Sequence, residues 1–479
     1  MLLLPLPRPA CGSEGDQGDK MYVIMHGTAV VTKARSASSW QARVQEDTED
    51  EGDEIMQLDE EMYFGERALL DNAPRAASVR ALRKLQCMAI DRATFERLLG
   101  PLQHIIDADR QRREQEAAAQ RMRLEAAGLC GVSFSSFRFE APMIRIETGG
   151  VLLVRHLISG ESYTIRAESK HKLHIMEQTE RISRELEVLH LTGVHAHLPV
   201  LPGVLCTFAS PLALFALFKT RVACELSCLT TGAPLPPNSC RYVSACVVAA
   251  LERLHCHMNT VYRNMSPGAL SLDEHGCVCL MDFRNAKVLS CSGKTFTLCG
   301  VADYLSPEQV TCAGHSFSVD FWAMGVLLWE LASGIGPWGN EPNEVNIYRR
   351  ITEHNRGGLS TQLETDRERG FIPSDCLVPS LIDLIDRLLV PEPLERLGAA
   401  QSEGGALQGF QQLRSHPWFS NVRWDSLAEG NEPSPFLTSA ATRVREQLQS
   451  HAEWSNDGIS GEVMDATEYG GDGSWFAQY

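Results

Sequence analysis

A glycine, a carboxylate and an arginine lie in one short stretch, residues 63–79, which reads Y-F-G-E-R-A-L-L-D-N-A-P-R-A-A-S-V. Gly65 allows a backbone to approach a ligand closely, and Glu66 can accept a hydrogen bond from a ligand hydroxyl. Arg75 can pair with a phosphate through its fork of N–H donors, and a short helix after Glu66 would aim its amide groups at that phosphate. This spacing favours a site for a phosphate-bearing ligand. The alternative is a surface salt bridge between Glu66 and Arg75 on a turn.

The same stretch resembles the phosphate-binding cassette of cyclic-nucleotide-binding domains, F-G-E-x-A-L followed by P-R-A-A-S/T-V. The resemblance implies that Glu66 binds the ribose 2′-hydroxyl and that Gly65 and Arg75 hold the cyclic phosphate. Position 76 bears on ligand choice, because a Thr or Ser after the cassette arginine favours cGMP in this family. Ala76 stands there, as in sites that prefer cAMP. The regulatory ligand is therefore expected to be cAMP or cGMP.

A second stretch, residues 261–270, reads V-Y-R-N-M-S-P-G-A-L and resembles the catalytic loop of protein kinases, H-R-D-L-K-P-E-N-L. Asn264 stands where the family has its catalytic aspartate, and Ala269 stands where it has a metal-binding asparagine. An amide cannot take up the substrate proton, and loss of a general base typically costs about 10²–10⁴-fold in rate. Ala269 offers no oxygen to a metal ion, which contributes roughly several kcal/mol to such transition states.

The segments that would bind ATP also lack residues that the kinase family uses for this purpose. Residues 146–154 occupy the place of the glycine-rich loop, with Gly149 as its middle glycine and Val154 as an adenine-pocket residue. Arg166 replaces the lysine that contacts ATP, and its planar guanidinium is not equivalent to an ammonium. Glu185 is placed to pair with Arg166, either beside a nucleotide or as a structural ion pair without one.

Further positions match nucleotide or metal contacts of the family. Glu225 matches the residue that holds the ATP ribose, while Thr164 is bulkier than the usual alanine and narrows the adenine pocket. Asp282 begins D-F-R in place of D-F-G and retains oxygen donors for one Mg²⁺ ion. Arg284, the changed residue of that motif, either crowds the metal site or neutralises Asp282 in the metal's place. ATP and Mg²⁺ are therefore expected only if nucleotide binding survives these changes.

The motifs that hold a kinase fold together are retained. They are S-P-E at 306–308, D-F-W-A-M-G at 320–325, E-P-L-E-R-L-G at 392–398 and H-P-W-F at 416–419. The resemblance implies that Glu308 pairs with Arg396 and that Asp320 braces the backbone near Arg263. Thr297 matches the activation-loop threonine, either phosphorylated and paired with Arg263 or left unmodified.

Composition limits the partners and the compartment. The formal charge of −17 argues against nucleic acid or an anionic membrane as the main partner. The 15 cysteines are scattered without a C-x-x-C pair, which predicts reduced thiols and a cytoplasmic location. No run approaches the roughly 20 apolar residues of a membrane helix, and the proline-broken start is a poor signal peptide.

The order of these segments resembles that of cGMP-dependent protein kinases, over nearly the whole chain. The predicted fold is multidomain α+β. Residues 1–128 form a partial β-barrel cyclic-nucleotide-binding domain, incomplete at its N-terminus and followed by helices; residues 129–419 form a bilobal protein-kinase fold; and residues 420–479 form an AGC-type tail. The favoured function is a cyclic-nucleotide-responsive pseudokinase that regulates or scaffolds protein partners. The alternatives are an active cyclic-nucleotide-regulated serine/threonine kinase that acts on proteins, and a nonfunctional fragment.

Overall fold

The chain forms two compact units in a computed structural model, one ending at Ala119 and the other beginning at Gln120. Glu66, Ala76, most of the segment in which the first domain's helices are expected, and residues 451–479 lie outside the part that the structure describes. The described residues are 20–33, 53–60, 62–65, 69, 75, 77–81, 85–92, 94, 122, 124–125, 129, 131–195, 199–230, 232–289, 293–339, 341–354, 365, 368, 376–399 and 405–450.

The first unit contains short antiparallel strands, as its glycine-separated apolar runs predict. Its described strands are β1 (Lys20–His26), β2 (Ala29–Lys33), β3 (Asp53–Leu58), β4 (Tyr63–Phe64), β5 (Ser78–Ala81) and β6 (Gln86–Asp91). In one sheet β1 lies between β4 and β6, and in the other β2 lies between β3 and β5. Ile24, Leu58, Phe64 and Val79 contribute to one buried apolar cluster, so the strands share a core.

The second unit begins with a small lobe built on a twisted antiparallel sheet. Its elements are β7 (Phe137–Ile146), β8 (Gly149–His156), β9 (Ser162–Ser169), α1 (Lys170–Ile175), α2 (Thr179–His195), β10 (Val204–Ala209) and β11 (Ala213–Phe218). The strand order is β10-β11-β9-β8-β7. An apolar cluster that includes Phe137, Val154, Tyr163 and Phe215 covers the outer face of this sheet. The other face is turned towards the large lobe and carries Arg166, whose guanidinium reaches the Met281 carbonyl.

The large lobe follows through β12, which serves as the hinge between the lobes. Its described strands and α-helices are β12 (Val222–Glu225), α3 (Ser227–Thr230), α4 (Pro237–Glu252), β13 (Thr260–Val261), β14 (Leu270–Asp273), β15 (Val278–Leu280), β16 (Lys287–Val288), α5 (Pro307–Val310), α6 (Ser318–Ser333), α7 (Glu344–Glu353), α8 (Pro379–Leu388), α9 (Gly405–Arg414), α10 (Trp424–Ala428) and α11 (Leu437–Ser450). The strand β12 pairs with β14, and α11 returns to the small lobe to pack on β7 and β12. None of the helices within the described ranges has the length and apolarity that crossing a membrane requires.

Asp320 is fully buried near the start of α6 and binds the backbone of the catalytic-loop segment. Its Oδ2 accepts from the Tyr262 backbone N at 2.8 Å and its Oδ1 from the Arg263 backbone N at 2.8 Å. The Nε2 of His255 lies 2.8 Å from Oδ2. Arg263 has φ 57°, a left-handed conformation that costs roughly 1–2 kcal/mol for an L-residue. The hydrogen bonds that the Tyr262 and Arg263 backbone N–H groups donate to Asp320 offset that cost, and the predicted brace is confirmed.

Arg396 makes the second predicted scaffold contact. It is 1% exposed, and its two terminal nitrogens donate to the two carboxylate oxygens of Glu308 at 2.6 and 2.7 Å. Its Nε donates to the Val390 carbonyl at 2.7 Å. This bidentate pair joins the segment around α5 to the loop after α8 across 88 residues, and the prediction of the pair is confirmed.

Replacing Arg396 by leucine should destabilise the second unit by roughly 3–5 kcal/mol, because Glu308 would keep a buried charge without a partner. Urea unfolding followed by tryptophan fluorescence measures the change. The matched control is Arg387→Leu, which removes the exposed Arg387–Asp383 pair of α8 and should cost less than about 1 kcal/mol. Equal losses for the two variants would contradict the assignment of Arg396 as a scaffold residue.

Candidate functional site

In the first unit, the Arg75 side chain lies against β1 and over Gly65. Its Nη2 donates to the Lys20 carbonyl at 2.8 Å, and its guanidinium carbon lies 5.8 Å from the centre of the Tyr22 ring. Gly65 has φ 85°, and a Cβ there would lie 2.1 Å from Nη1 of Arg75. Only glycine therefore leaves room for the guanidinium in this position. Of the four residues predicted to bind the nucleotide, the structure describes Gly65 and Arg75, and it brings these two together.

In the second unit, the position of the glycine-rich loop is a tight hairpin. The strands β7 and β8 are joined by Glu147 and Thr148 alone, and Ile146 pairs with Gly149. Thr148 is 0% exposed, and its hydroxyl donates to the carboxylate of Glu168 on β9. The tip of the hairpin is thus folded against β9 and does not project over a ligand.

Gly149 has a packing role that the sequence did not indicate. It pairs with Glu168 across β8 and β9, and a Cβ at this position would lie 2.0 Å from the carbonyl oxygen of Ala167. The sequence analysis matched Gly149 to the middle glycine of the glycine-rich loop. In the structure, this glycine allows the close approach of two strands of the small-lobe sheet.

Val154 lies on the face of the sheet opposite to the one predicted. The register pairs Val154 with Tyr163 and Leu153 with Thr164. The Thr164 hydroxyl accepts a hydrogen bond from the backbone N of Val222 in the hinge at 3.0 Å, so Thr164 faces the cleft. Side chains alternate between the faces of a strand, so Leu153 is the residue of β8 on the cleft side. The ungapped motif match therefore differs by one position from the register that the structure shows.

Arg166 lies at the centre of the cleft, 5% exposed, with all of its N–H donors directed at protein acceptors. Its Nε donates to Glu168 at 2.8 Å, and its Nη1 donates to Glu185 at 2.6 Å and to the Met281 carbonyl at 3.2 Å. Its Nη2 contacts Glu185 and, at 2.7 Å, Glu168. Burial opposes the charged form, yet Glu185 and Glu168 hold the pKa of Arg166 well above its ordinary value. The predicted pair with Glu185 is present, with a second carboxylate added.

This cluster carries one positive and two negative charges in the place where the kinase family holds ATP phosphates. Glu185, on α2, also accepts a hydrogen bond from the backbone N of Phe283 at 2.9 Å, which joins the small lobe to the D-F-R segment. Glu168 is 2% exposed and is held by Thr148 and Arg166. A polyphosphate brought to this position would meet two buried carboxylates and a guanidinium without a free donor.

Asp282 is bound by the arginine two residues later. The Nε of Arg284 donates to Oδ1 at 2.9 Å, its Nη2 donates to Oδ2 at 2.7 Å, and its backbone N lies 3.2 Å from Oδ1. Burial alone would raise the pKa of Asp282, but the hydrogen bonds and charge of Arg284 hold it below its ordinary value. Of the two readings of the D-F-R motif, the geometry is that of Arg284 neutralising Asp282.

Asn264 has two hydrogen bonds that suit an amide. Its Nδ2 donates to the carbonyl of Asp282 at 3.2 Å, and its Oδ1 accepts from the Nδ2 of Asn285 at 2.9 Å. A carboxylate at position 264 could accept from Asn285 but could not donate to the Asp282 carbonyl. The residue that replaces the catalytic aspartate is therefore part of the local hydrogen-bonding pattern.

At the other end of the cleft, the half-buried Glu225 accepts a hydrogen bond from the Ser227 hydroxyl at 2.9 Å. Burial raises the pKa of Glu225. The structure places Glu225 on the hinge strand, next to Leu270 and Ser271 of β14. Contact of Glu225 with the ribose of a nucleotide stays a prediction.

Thr297 is exposed to solvent on the activation segment. Arg263, its predicted partner after phosphorylation, instead donates from Nε to the Asn285 carbonyl at 2.8 Å, and its Nη1 lies 3.4 Å from Nε2 of His315. Burial, followed by the charge of Arg263, lowers the pKa of His315 to about 4. A neutral His315 at physiological pH can accept from Arg263, so the guanidinium has protein partners without a phosphate.

Sequence reasoning missed several residues of this site, chiefly Thr148, Leu153, Glu168 and His315. Glu168 had a recognisable signal, because it follows Arg166 by two positions in a strand and must therefore share its face. The positions of the Leu153 and Thr148 side chains depend on the β7–β8 turn and the strand register, which the motif match did not predict. His315 lies 52 residues from Arg263, and nothing local connects them.

The residues of the cleft do not fit Mg-ATP. Both oxygens of Asp282 are occupied by Arg284, Ala269 supplies no side-chain ligand, and Arg166 has no donor left for a phosphate. Within the described ranges, no group of three or more His, Cys, Asp or Glu residues is arranged to hold a metal ion.

Comparison with known proteins identifies both units. A family profile described as "Protein kinase domain" matches residues 147–419, and one described as "Cyclic nucleotide-binding domain" matches residues 13–100. The chain is 26% identical over 441 residues to cGMP-dependent protein kinase, isozyme 1, of Drosophila melanogaster, covering 89% of this chain and 53% of that protein. It is 26% identical over 450 residues to human cGMP-dependent protein kinase 2, covering 88% of this chain and 54% of that protein. The chain thus spans about half the length of these two relatives.

Replacing Arg166 by methionine should destabilise the second unit by roughly 3–5 kcal/mol, because Glu168 and Glu185 would remain buried without a counter-charge. Chemical unfolding measures the change. The matched control is Arg155→Met on the neighbouring strand, where the half-exposed Arg155 pairs with Glu140 and less than about 1 kcal/mol should be lost. If both variants lose the same stability, Arg166 is not the charge that holds the cleft together.

Proposed function

This chain belongs to the cGMP-dependent protein kinase family, and we propose that it is a cyclic-nucleotide-responsive pseudokinase that regulates or scaffolds other proteins. The observation that carries the proposal is the closed set of contacts around Arg166. Each of the three nitrogens of the guanidinium that replaces the ATP-binding lysine donates a hydrogen bond to Glu168, Glu185 or a backbone carbonyl, and Nη2 also makes an ion pair with Glu168. Phosphate binding would require several of these buried hydrogen bonds to break.

Electrostatics support the same conclusion. The Arg166 cluster has a net charge of −1 from two carboxylates and one guanidinium, and the Asp282–Arg284 pair is neutral. A kinase site presents cations to the triphosphate, whereas this site presents none that is unpaired within the cluster. Asn264 adds a second obstacle, because its amide has no capacity to accept the proton of a substrate hydroxyl.

A second candidate, an active cyclic-nucleotide-regulated serine/threonine kinase, is favoured by the intact scaffold. Glu185 of α2 reaches both Arg166 and the Phe283 backbone, and Asp320 holds the catalytic-loop backbone. These contacts keep α2 and the loop at the cleft, as an assembled site requires. In this alternative, Arg166 exchanges a carboxylate for a phosphate when nucleotide binds.

Phosphate transfer from labelled Mg-ATP to a basic peptide, with and without cyclic nucleotide, tests the proposal. We expect no transfer by the native chain. A triple variant with Arg166→Lys, Asn264→Asp and Ala269→Asn restores the missing groups. A quintuple variant adds Glu168→Gln and Arg284→Gly, which remove the extra carboxylate and free Asp282. We expect transfer from the quintuple variant and less from the triple variant.

Transfer by the native chain, at a level that Arg166→Met abolishes, would overturn the pseudokinase proposal and support the second candidate. The Arg166→Met chain also controls for contaminating kinases, since a contaminant would be unaffected by it. Thermal unfolding of each variant shows whether an inactive variant is folded.

The ligand of the first unit is proposed to be cAMP or cGMP, held by Arg75. Arg75→Gln should weaken binding roughly 10–100-fold, because a hydrogen bond to a charged group is worth about 1.5–3 kcal/mol. Gly65→Ala should act in the same direction, since a Cβ displaces the guanidinium. Calorimetric titration of both nucleotides measures the affinities and decides between them.

Lys20→Gln is the control for these two variants, because it removes a positive charge from β1 and keeps the carbonyl that Arg75 binds. An Arg75→Gln chain that binds both nucleotides as tightly as the Lys20→Gln chain would contradict the role given to Arg75.

Ala76→Thr should shift the binding preference of the first unit towards cGMP. The cytoplasmic location stays a prediction from the cysteine pattern.

A further inference from the structure

The C-terminal helix α11 is seated between the small lobe and the hinge. Two of its buried side chains, Ala440 and Val444, belong to one apolar cluster with Leu153 of β8 and Ala223 of β12. Met143 of β7 completes the same cluster. The helix therefore packs on elements that come from both sides of the nucleotide cleft.

The sequence of α11 explains why this face of the helix packs on the small lobe and the hinge. Ala440, Val444 and Leu448 recur at intervals of four residues and form one stripe, which is the spacing of a helix that buries a single face. Ala440 is 0% exposed, Val444 is 8% exposed, and Leu448 is partly buried against the same cluster. Thr438 and Thr442 are exposed on the remainder of the helix. The helix thus presents an apolar edge to the lobes and a polar surface to solvent.

The groove that receives this edge lies at the adenine end of the cleft. Leu153 pairs with Thr164 in the β8–β9 register, and the Thr164 hydroxyl binds the backbone N of Val222 in the hinge. Ala223 follows Val222 directly and is 1% exposed. A nucleoside base in a kinase fold occupies the space between this part of the sheet and the hinge, and the side chains that would line it pack against α11.

The start of α11 is fixed to the large lobe. The Ser434 hydroxyl donates to the Gly276 carbonyl at 2.5 Å, and the Phe436 backbone N donates to Ser434 Oγ at 3.0 Å. Phe436 is buried with its ring 6.3 Å from that of Tyr242 on α4. Gly276 has room for no side chain, since a Cβ there would lie 2.6 Å from the Leu437 backbone N. The helix is therefore held at one end by the large lobe while its apolar edge binds the small lobe.

We infer that the adenine end of the cleft is a helix-binding groove occupied by α11, and that α11 and a nucleoside exclude each other from it. This inference goes beyond the proposed function, which rests on the phosphate end of the cleft around Arg166. The apolar edge of α11 is small, so a ligand or partner that occupies the groove can release the helix. Release would free residues 437–450 from both lobes at once.

The experiment uses the full chain and adenosine, which carries no phosphate and so does not engage the Arg166 cluster. The test variant, Ala440→Glu with Val444→Glu, places two charges on the buried edge of α11. The matched control, Thr438→Glu with Thr442→Glu, places two charges at the same spacing on its exposed face. Adenosine affinity is measured by calorimetry, and hydrogen exchange reports the protection of residues 437–450.

We expect the test variant to lose protection in residues 437–450 and to bind adenosine at least tenfold more tightly than the native and control chains. An unchanged adenosine affinity with α11 released would overturn the inference. Tight adenosine binding by the native chain with full protection of residues 437–450 would also overturn it, because the two would then share the groove.

Should the charged variant lose its cooperative unfolding transition, Val444→Ala with Leu448→Ala replaces it. This variant shortens the buried edge without adding charge, so it should raise hydrogen exchange in α11 and adenosine affinity together. Faster exchange without a gain in affinity would again count against the inference.

The phosphate-transfer assay on the same chains separates the two proposals. Phosphate transfer by the variant with α11 released, with none by the native chain, would support the helix-binding groove and contradict the pseudokinase proposal. Unchanged adenosine affinity without phosphate transfer would contradict the helix-binding groove and remain consistent with the pseudokinase proposal.

Discussion

The buried guanidinium of Arg166 lies between the carboxylates of Glu168 and Glu185. The arrangement of the second unit's cleft depends on this positive charge. Without that charge, Glu168 and Glu185 would face each other in a low-dielectric interior, where unpaired charges cost several kcal/mol each. Glu185 also holds the Phe283 backbone, and Glu168 holds the buried tip of the β7–β8 hairpin through Thr148. One side chain thus ties together the strand β9, the helix α2, the hairpin and the D-F-R segment.

Strand register decides which side chains β8 presents to the cleft. Leu153 pairs with Thr164, which faces the cleft, and Val154 pairs with Tyr163 on the opposite face. Because side chains alternate along a strand, a difference of one position between motif and structure reverses the face of the side chain concerned. Gly149, matched to the glycine-rich loop, serves the packing of β8 on β9.

The two parts of the kinase fold have therefore diverged in different ways. The scaffold keeps its buried ion pair between Glu308 and Arg396 and its Asp320 brace, with the partners that the sequence predicts. The cleft is lined by contacts inside the protein. Arg284 donates to both carboxylate oxygens of Asp282, and an edge of α11 packs on Leu153 and Ala223. The pseudokinase proposal depends on these contacts, whereas the scaffold pairs are independent of them.

The order of the two domains, the scaffold pairs, the Arg166–Glu185 contact and the replacement of the catalytic groups could all be predicted from the amino-acid sequence. These conclusions are local, because a missing carboxylate or a matched motif is visible wherever the chain folds. Tertiary structure decided which residues fill the cleft: Glu168 and Thr148 beside Arg166, Leu153 in place of Val154, and α11 against the hinge. The physical reason is that strand register and helix docking depend on partners far away in the chain. Leu153 and Val444, for example, belong to one cluster across nearly three hundred residues, and neither identifies the other in the sequence.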